Sequence, residues 1–194
     1  MWIKICGLTS KAAVDAAVGA GVDAIGFVFA PSKRQVTAQQ AAQLSQDAPR
    51  SVLRIAVMQH PAQSLVDEVC ALFKPDVLQT DCEDLSTLSA PNAVQVLPVI
   101  RAGRTPPSPL PVRLLFEGPV SGTGETADWT QAAKLARQTQ LILAGGLNAS
   151  NVVEAIAQVR PFGVDVSSGV ESAPGVKDLD KIVEFVKAVR SVRI

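Results

Sequence analysis

The sequence predicts an α/β fold, a closed (β/α)₈ (TIM) barrel that forms one domain over residues 1–194. Short segments that are apolar on both faces alternate with Ala-rich helical stretches, which is typical of a parallel sheet covered by helices. Eight such segments favour a closed barrel over an open sheet. With about 24 residues for each unit the loops must be short, since barrels of this kind usually have ~250 residues.

Eight segments are predicted to be strands because they are short and rich in β-branched or large apolar residues. In chain order they are Trp2–Cys6, Ala24–Phe29, Leu53–Val57, Val77–Gln79, Val94–Val99, Arg113–Phe116, Leu141–Leu143 and Gly163–Val166. Six stretches have the spacing of amphipathic helices. They are Ser10–Ala20, Thr37–Gln46, Pro61–Leu72, Trp129–Thr139, Ala149–Gln158 and Leu179–Val189.

A capping signal marks the start of the first predicted helix, whereas the segment after the fifth predicted strand lacks the pattern of a helix. The hydroxyl of Thr9 or Ser10 can accept hydrogen bonds from the N–H groups of the first helical turn. Residues 101–111 contain four prolines, and such a segment cannot form a regular helix. We expect the helix after the fifth strand to be missing or irregular.

The composition argues against several classes of protein. Eighteen basic residues balance eighteen acidic ones, so the net charge gives no reason to expect nucleic acid or an anionic membrane as a partner. No apolar run approaches the ~18 residues that span a bilayer. The three cysteines, Cys6, Cys70 and Cys82, match no disulfide framework or zinc motif. We expect a cytoplasmic protein.

The sequence also argues against a metal centre. Its one histidine, His60, precedes Pro61 in a predicted turn, whereas catalytic zinc sites usually have several imidazole ligands. No Asp-x-Asp-like cluster suggests a magnesium site. We therefore predict no metal.

Candidate functional residues lie at the carboxyl ends of the predicted strands, where barrels of this kind have their active sites. This rule selects Cys6, Arg34, Asp81, Glu117, Gly145 with Gly146, and Asp165 to Gly169. Their convergence is a stronger indication than any one residue.

Two glycine-rich turns, Ala144-Gly145-Gly146 and Ser167-Ser168-Gly169, follow the last two strands. Glycines let the backbone approach a ligand closely, and the N–H groups at a helix start favour an anion. The loops after strands seven and eight are the usual phosphate position in this fold. The alternative is that the glycines only turn the chain. We predict a phosphate site formed by Gly145, Gly146, Ser167, Ser168 and Gly169.

Cys6 is the candidate for reactive chemistry. A cysteine beside a glycine and a helix start can be activated as a thiolate, although free cysteine is more often a small buried apolar residue. Its segment, Lys4-Ile5-Cys6-Gly7-Leu8-Thr9, resembles the opening signature of the phosphoribosylanthranilate isomerase family. Later segments agree with that family in order: Asp23–Phe29, Ser121–Gly124, Leu143–Asn148, Val164–Glu171 and Pro174–Asp178.

The resemblance implies an enzyme of tryptophan biosynthesis that performs an Amadori rearrangement of a phosphorylated aminosugar, N-(5-phosphoribosyl)anthranilate, without a cofactor. It implies that Cys6 is the general base. Glu117 occupies the position of the family's general acid, an aspartate, with a tether one methylene longer. Arg34 is expected to bind the anthranilate carboxylate through its guanidinium fork. Asp165 is expected to face the cavity, either bonding a substrate hydroxyl or supporting the turn at Ser167.

The largest departure from the family lies at the fourth strand. The family typically has Gln-Leu-His-Gly, whereas this chain has Gln79-Thr80-Asp81-Cys82. An added negative charge near an anionic substrate is unfavourable unless it is paired or turned away. We expect Asp81 to cap the following helix. Lys4 lies on the same face of its strand as Cys6, so it can line the barrel and pair with a carboxylate.

Two other interpretations stay open. One is another sugar-phosphate isomerase or epimerase, which would need a metal cluster or a Schiff-base lysine. The other is a non-catalytic barrel that binds a phosphorylated ligand, which the changes at Asp81 and Glu117 would fit. Under every interpretation, the isomerase included, we expect a monomer or a homodimer.

Overall fold

Eight parallel strands close into a barrel in the computed structural model, which describes residues 1–119 and 127–192. The ring closes where the first strand pairs with the eighth, from Trp2 opposite Gly163 to Ile5 opposite Val166. The predicted fold class is thus confirmed. The strands are β1 (Trp2–Cys6), β2 (Ala24–Val28), β3 (Leu53–Val57), β4 (Val77–Asp81), β5 (Gln95–Arg101), β6 (Arg113–Glu117), β7 (Gln140–Leu143) and β8 (Gly163–Val166).

In the part of the chain that the structure describes, six α-helices cover the barrel, and each lies within a few residues of its predicted range. Side chains cap four of them by accepting from first-turn N–H groups, as Ser10, Thr37, Asp128 and Asp178 do. The helices are α1 (Lys11–Gly19), α2 (Ala38–Ser45), α3 (Gln63–Leu72), α4 (Trp129–Ala136), α5 (Val152–Val159) and α6 (Leu179–Ser191).

Among the described residues, two of the barrel's units lack an α-helix. The sequence predicted only one of these two losses. The predicted loss after β5 is confirmed, since residues 102–112 contain no helix. After β4 the chain forms only a short 3₁₀ helix, Cys82–Ser86, before an irregular segment with Pro91. Strands β4 and β5 also run two residues further than predicted, to Asp81 and Arg101. That extension carries both side chains to the rim of the barrel.

An unpredicted hairpin follows β8. Strands β9 (Glu171–Ala173) and β10 (Val176–Lys177) are antiparallel and place Lys177 opposite Glu171. Gly175 turns the chain between them with a positive φ of 88°, a conformation that only glycine adopts readily.

The core has two layers because residues of a strand alternate between two faces. Ile3 and Ile5 point outward and pack with the helices, in one continuous apolar cluster. A smaller cluster fills the barrel's interior, with Ile55, Leu115 and Ile142 among its members. Lys4 also belongs to the interior and is completely buried. Among the described residues no helix is both long and apolar enough to cross a membrane.

Candidate active site

A cleft of about 180 Å³ opens at the carboxyl ends of the strands. Its lining includes eight of the predicted site residues: Cys6, Arg34, Glu117, Gly145, Gly146, Asp165, Ser167 and Ser168. Asp81 and Gly169 do not line it. Residues that the sequence analysis did not select, notably Arg101, also reach the cleft.

Cys6 lies at the floor of the cleft beside a buried ion pair. The ammonium of Lys4 lies 3.0 Å from Asp165 Oδ1, so the predicted pairing of Lys4 with a carboxylate is confirmed. A side chain at Gly26 would have no room, because a Cβ there would lie 2.9 Å from Lys4 Cε and 3.2 Å from Cys6 Sγ. Glycine on β2 therefore creates the space in which the lysine and the thiol lie together.

Burial disfavours ionisation of the Cys6 thiol, whereas nearby cations favour it. Burial raises the pKa of Cys6, while the ammonium groups of Lys4 and Lys177 partly lower it. Burial also opposes the charge on Lys4, but Asp165 and Cys6 outweigh it and raise the pKa of that ammonium. Lys4 is thus a fixed positive charge beside the thiol, where it favours the thiolate.

Glu117 faces the cleft from β6 and is paired with Arg101 on β5, with 2.5 Å between Nη1 and Oε1. Burial raises the pKa of Glu117, and the Arg101 guanidinium opposes part of that rise. The side chain is only 14% exposed. A carboxyl with a raised pKa holds its proton longer as pH rises, which is what a general acid requires.

Asp81 binds the same guanidinium, since Arg101 Nη2 lies 2.8 Å from its Oδ1. The prediction that Asp81 caps the following helix is wrong, because its side chain makes no cap hydrogen bond to the 3₁₀ helix. A nearby buried cation competes successfully for the carboxylate. The added negative charge is therefore paired, as the sequence analysis required.

Arg34 reaches the cleft from the loop after β2, but one edge of its guanidinium is already bonded. Nε donates to Glu171 Oε1 at 2.7 Å and Nη2 donates to Oε2 at 2.9 Å. Gly7 makes room for it, since a Cβ there would lie 2.6 Å from Arg34 Cδ. The bidentate geometry that the sequence predicted for a substrate carboxylate is thus used by a carboxylate of the chain itself.

Lys177 brings a second cation to the turn after β8. Its ammonium lies 2.8 Å from Glu171 Oε1 and donates to the Ser167 carbonyl at 2.8 Å. Burial lowers the pKa of Lys177 more than its pairing with Glu171 raises it. Sequence reasoning missed both residues, although the Pro174-Gly175 dipeptide is a turn signal that could have revealed the hairpin.

The two glycine turns form one packed unit. Gly145 and Gly146 both have positive φ, 90° and 64°, so the first turn depends on glycine. Gly169 packs against that turn, since a Cβ on it would lie 1.9 Å from the Leu147 carbonyl oxygen. Gly169 therefore fixes the second turn to the first.

Glu171 is expected to stabilise the fold in a pH-dependent way. Its contacts with Arg34 and Lys177 outweigh burial and lower the pKa of Glu171 from 4.5 to about 2. A folded-state pKa below the unfolded one means stability that is present above about pH 4.5 and lost as pH falls toward about 2. Glu171→Gln should lower the free energy of unfolding at pH 7, and the deficit should shrink at pH 3.5.

Urea unfolding at the two pH values measures this difference, with Glu154→Gln, an exposed glutamate of α5, as the matched control. A deficit of the same size at both pH values would contradict the assignment.

A polar cluster borders the cleft beside β4. His60 Nδ1 lies 2.7 Å from Asp84 Oδ1, and Thr80 donates to Asp84 Oδ2 at 2.7 Å. The other ring nitrogen lies 3.7 Å from Asp81 Oδ2. Within the described ranges His60, Asp81 and Asp84 are the one group with the spacing of a possible metal site. Contacts with Arg101, His60 and Thr80 already account for this arrangement without an ion.

One sequence motif lies outside the described residues. The loop Ser121–Gly124, which resembles the family's Gly-Gly-Thr-Gly segment, falls within residues 120–126.

A closed barrel that gathers a thiol, a paired carboxyl and two glycine turns at its strand ends has the architecture of a (β/α)₈-barrel enzyme. The family model for N-(5'-phosphoribosyl)anthranilate (PRA) isomerase matches residues 3–188. The chain belongs to this family, and the resemblance found in the sequence is confirmed.

Relatives and solved structures are similar over nearly the full length. The N-(5'-phosphoribosyl)anthranilate isomerase of Streptococcus pneumoniae (strain ATCC BAA-255 / R6) is 41% identical over 192 residues, 97% of this chain and 96% of its own. The crystal structure of phosphoribosyl anthranilate isomerase from Thermus thermophilus has a TM-score of 0.85 at 29% identity, covering 100% of both chains. Another phosphoribosyl anthranilate isomerase, in complex with reduced 1-(o-carboxyphenylamino)-1-deoxyribulose 5-phosphate, has a TM-score of 0.81 at 28% identity, covering 99% of this chain and 100% of that one.

Proposed function

We propose that this chain converts N-(5-phosphoribosyl)anthranilate to 1-(2-carboxyphenylamino)-1-deoxyribulose 5-phosphate by an Amadori rearrangement, with Cys6 as general base and Glu117 as general acid. The observation that carries the proposal is the meeting of these two groups in one cleft, from β1 and β6. They are separated around the ring by β7 and β8, which leaves room for a sugar between them.

The first step is opening of the ribose ring. Glu117 gives its proton to the ring oxygen as the bond between C1 and that oxygen breaks and the nitrogen lone pair forms a protonated Schiff base with C1. The raised pKa of Glu117 supports this role. Arg101 then stabilises the carboxylate that remains, since it already contacts Oε1.

The second step moves a proton from carbon. The Cys6 thiolate takes the proton of C2, the electron pair of that C–H bond forms the enolamine C1=C2 bond, and the π electrons of the C1=N bond return to nitrogen. The enolamine then gains a proton at C1 and loses its hydroxyl proton, giving the ketone. Lys4 supports this role because its buried positive charge favours the thiolate. No atom or electron is gained or lost overall, so the reaction needs no cofactor.

We propose that the phosphate binds at Gly145, Gly146, Ser167, Ser168 and Gly169. The first four of these line the cleft, and Gly169 contributes by holding the turns together. Lys177 supports an anion here, because its ammonium contacts both the carbonyl and the hydroxyl of Ser167.

We propose that Arg34 binds the anthranilate carboxylate and that Asp165 bonds a sugar hydroxyl. Both line the cleft. Because Glu171 already bonds Nε and Nη2 of Arg34, a substrate carboxylate would use the remaining edge of the guanidinium. Glu171 then acts as a support that orients Arg34 rather than as a competitor. The single domain, the cytoplasmic location, and the monomer or homodimer stay predictions.

The test is to generate the unstable substrate in situ with the purified protein and to follow the loss of its fluorescence. We expect turnover without added metal or cofactor. If the wild-type protein consumes no substrate but binds the product analogue, the non-catalytic phosphate-binding barrel replaces this proposal. Turnover of a different sugar phosphate alone would favour the other isomerases.

A further inference from the structure

Asp81 and Glu117, the two departures from the family pattern described above, are both bound by the same residue, Arg101. Asp81 ends β4, Arg101 ends β5 and Glu117 ends β6, so the three residues lie on neighbouring strands. In the register, Arg101 lies opposite Glu117. One guanidinium binds both carboxylates, through Nη1 to Glu117 and Nη2 to Asp81. All three side chains are at most 15% exposed.

This arrangement resolves a conflict between position and charge. Glutamate has a longer and more flexible tether than aspartate, so it gains from a rigid planar partner that fixes the carboxyl. A lone arginine would also lower the pKa of that carboxyl, because an adjacent cation favours the charged form. A general acid held only by Arg101 would be well placed but mostly ionised.

Asp81 removes this conflict because it adds a negative charge on the far side of the guanidinium. Besides burial, charged groups on four strands shift the pKa of Glu117: Arg101 on β5, Asp165 on β8, Asp81 on β4 and Lys4 on β1 are among them. Two of these groups are cations and two are anions.

Beyond Asp81 lie His60 and Asp84, which are hydrogen-bonded to each other. Within residues 1–119 and 127–192, Asp81 Oδ2 is buried without a hydrogen-bond partner, with His60 Nε2 at 3.7 Å.

We propose that Asp81 and Arg101 are positioning residues for the general acid: Arg101 fixes the longer side chain of Glu117, and Asp81 offsets the charge of Arg101 so that Glu117 keeps its proton. The proposal rests on the proposed function, since it presupposes that Glu117 is the acid. It assigns the acid at position 81 a role in catalysis that acts through its neighbour, without contact to substrate.

The test compares wild type with Asp81→Asn, a nearly isosteric change that removes only the charge. Arg101 should then lower the pKa of Glu117, and the limb of the pH–rate profile that belongs to Glu117 should move to lower pH. The kcat/KM near neutral pH should fall about tenfold, because about a tenfold smaller fraction of Glu117 would carry the proton that it donates. A ¹³C NMR titration of the glutamate carboxyl carbons, with Glu117 assigned by its loss in Glu117→Gln, should show the same displacement.

Asp76→Asn is the matched control, because Asp76 also pairs with an arginine, Arg54, at 3.2 Å but lies outside the cleft. It should leave the profile unchanged. An unmoved Glu117 titration in folded Asp81→Asn would overturn the charge role. Absence of activity in wild type would instead overturn the proposed function, so the two failures are distinct.

Two further variants separate charge from position and do not depend on Asp81→Asn folding. Arg101→Lys keeps the cation but cannot bind both carboxylates in one plane, so kcat should fall about tenfold or more with the Glu117 limb unmoved. The double variant Asp81→Asn with Arg101→Gln removes both charges, so its limb should return toward the wild-type position while kcat stays low. Full kcat in Arg101→Lys would overturn the positioning role.

Discussion

Replacing Cys6 with alanine should lower kcat/KM for the isomerisation by about 10³-fold or more, within the range that a positioned general base contributes. Its charged neighbour Lys4 cannot take over its task. Lys4 has a raised pKa and stays charged, so it has no lone pair to offer. The fall should appear in kcat, because the alanine variant keeps the turns and cations that hold the substrate.

The control for Cys6→Ala is Cys82→Ala, at a cysteine of the 3₁₀ helix after β4 that lies outside the cleft. It should retain wild-type activity. A Cys6→Ala variant with normal turnover would exclude Cys6 as the base. Steady-state fluorescence assays of both variants decide the question.

Removing the acid should be nearly as damaging. Glu117→Gln keeps the shape of the side chain and a hydrogen bond to Arg101 but cannot give a proton to the ring oxygen, so kcat/KM should fall by about 10²- to 10⁴-fold. The amide tests proton transfer alone, since it introduces no cavity.

Glu117→Asp tests the tether. Because Arg101 contacts the carboxyl at the reach of a glutamate, the shorter side chain should be withdrawn from the sugar, and an error of ~1 Å can cost about 10²-fold in rate. Both variants are compared with Glu154→Gln, which lies on the outer surface of α5 and should behave as wild type. Equal activity of Glu117→Asp and wild type would mean that the strand end tolerates either length.

The sequence predicted the fold well because strand and helix patterns are local. All eight strands and six helices lie where apolar periodicity and capping residues indicate them. The two strands that it ended too early have a common cause. The ends of β4 and β5 carry polar residues, Asp81 and Arg101, that interrupt the apolar pattern, so the predicted strands stop short.

The sequence predicted which residues form the site better than it predicted the contacts between them. Strand-end logic and motif resemblance selected Cys6, Glu117 and Arg34, which all line the cleft. Ion pairs between distant segments leave no periodic trace, so neither the Arg101 bridge nor the binding of Arg34 to Glu171 could be predicted. Asp81 was assigned a local role as a helix cap, whereas a partner 20 residues away determines its contact.

The close approach of Gly169 to the Leu147 carbonyl has a consequence for how this protein can change over generations. A side chain at 169 would require the loop after β7 to retreat, and that retreat would alter the path of Gly145 and Gly146. We therefore expect a side chain at 169 to be tolerated only when the loop after β7 changes with it. The two segments, more than 20 residues apart in the chain, should be inherited and exchanged between homologues as a single module.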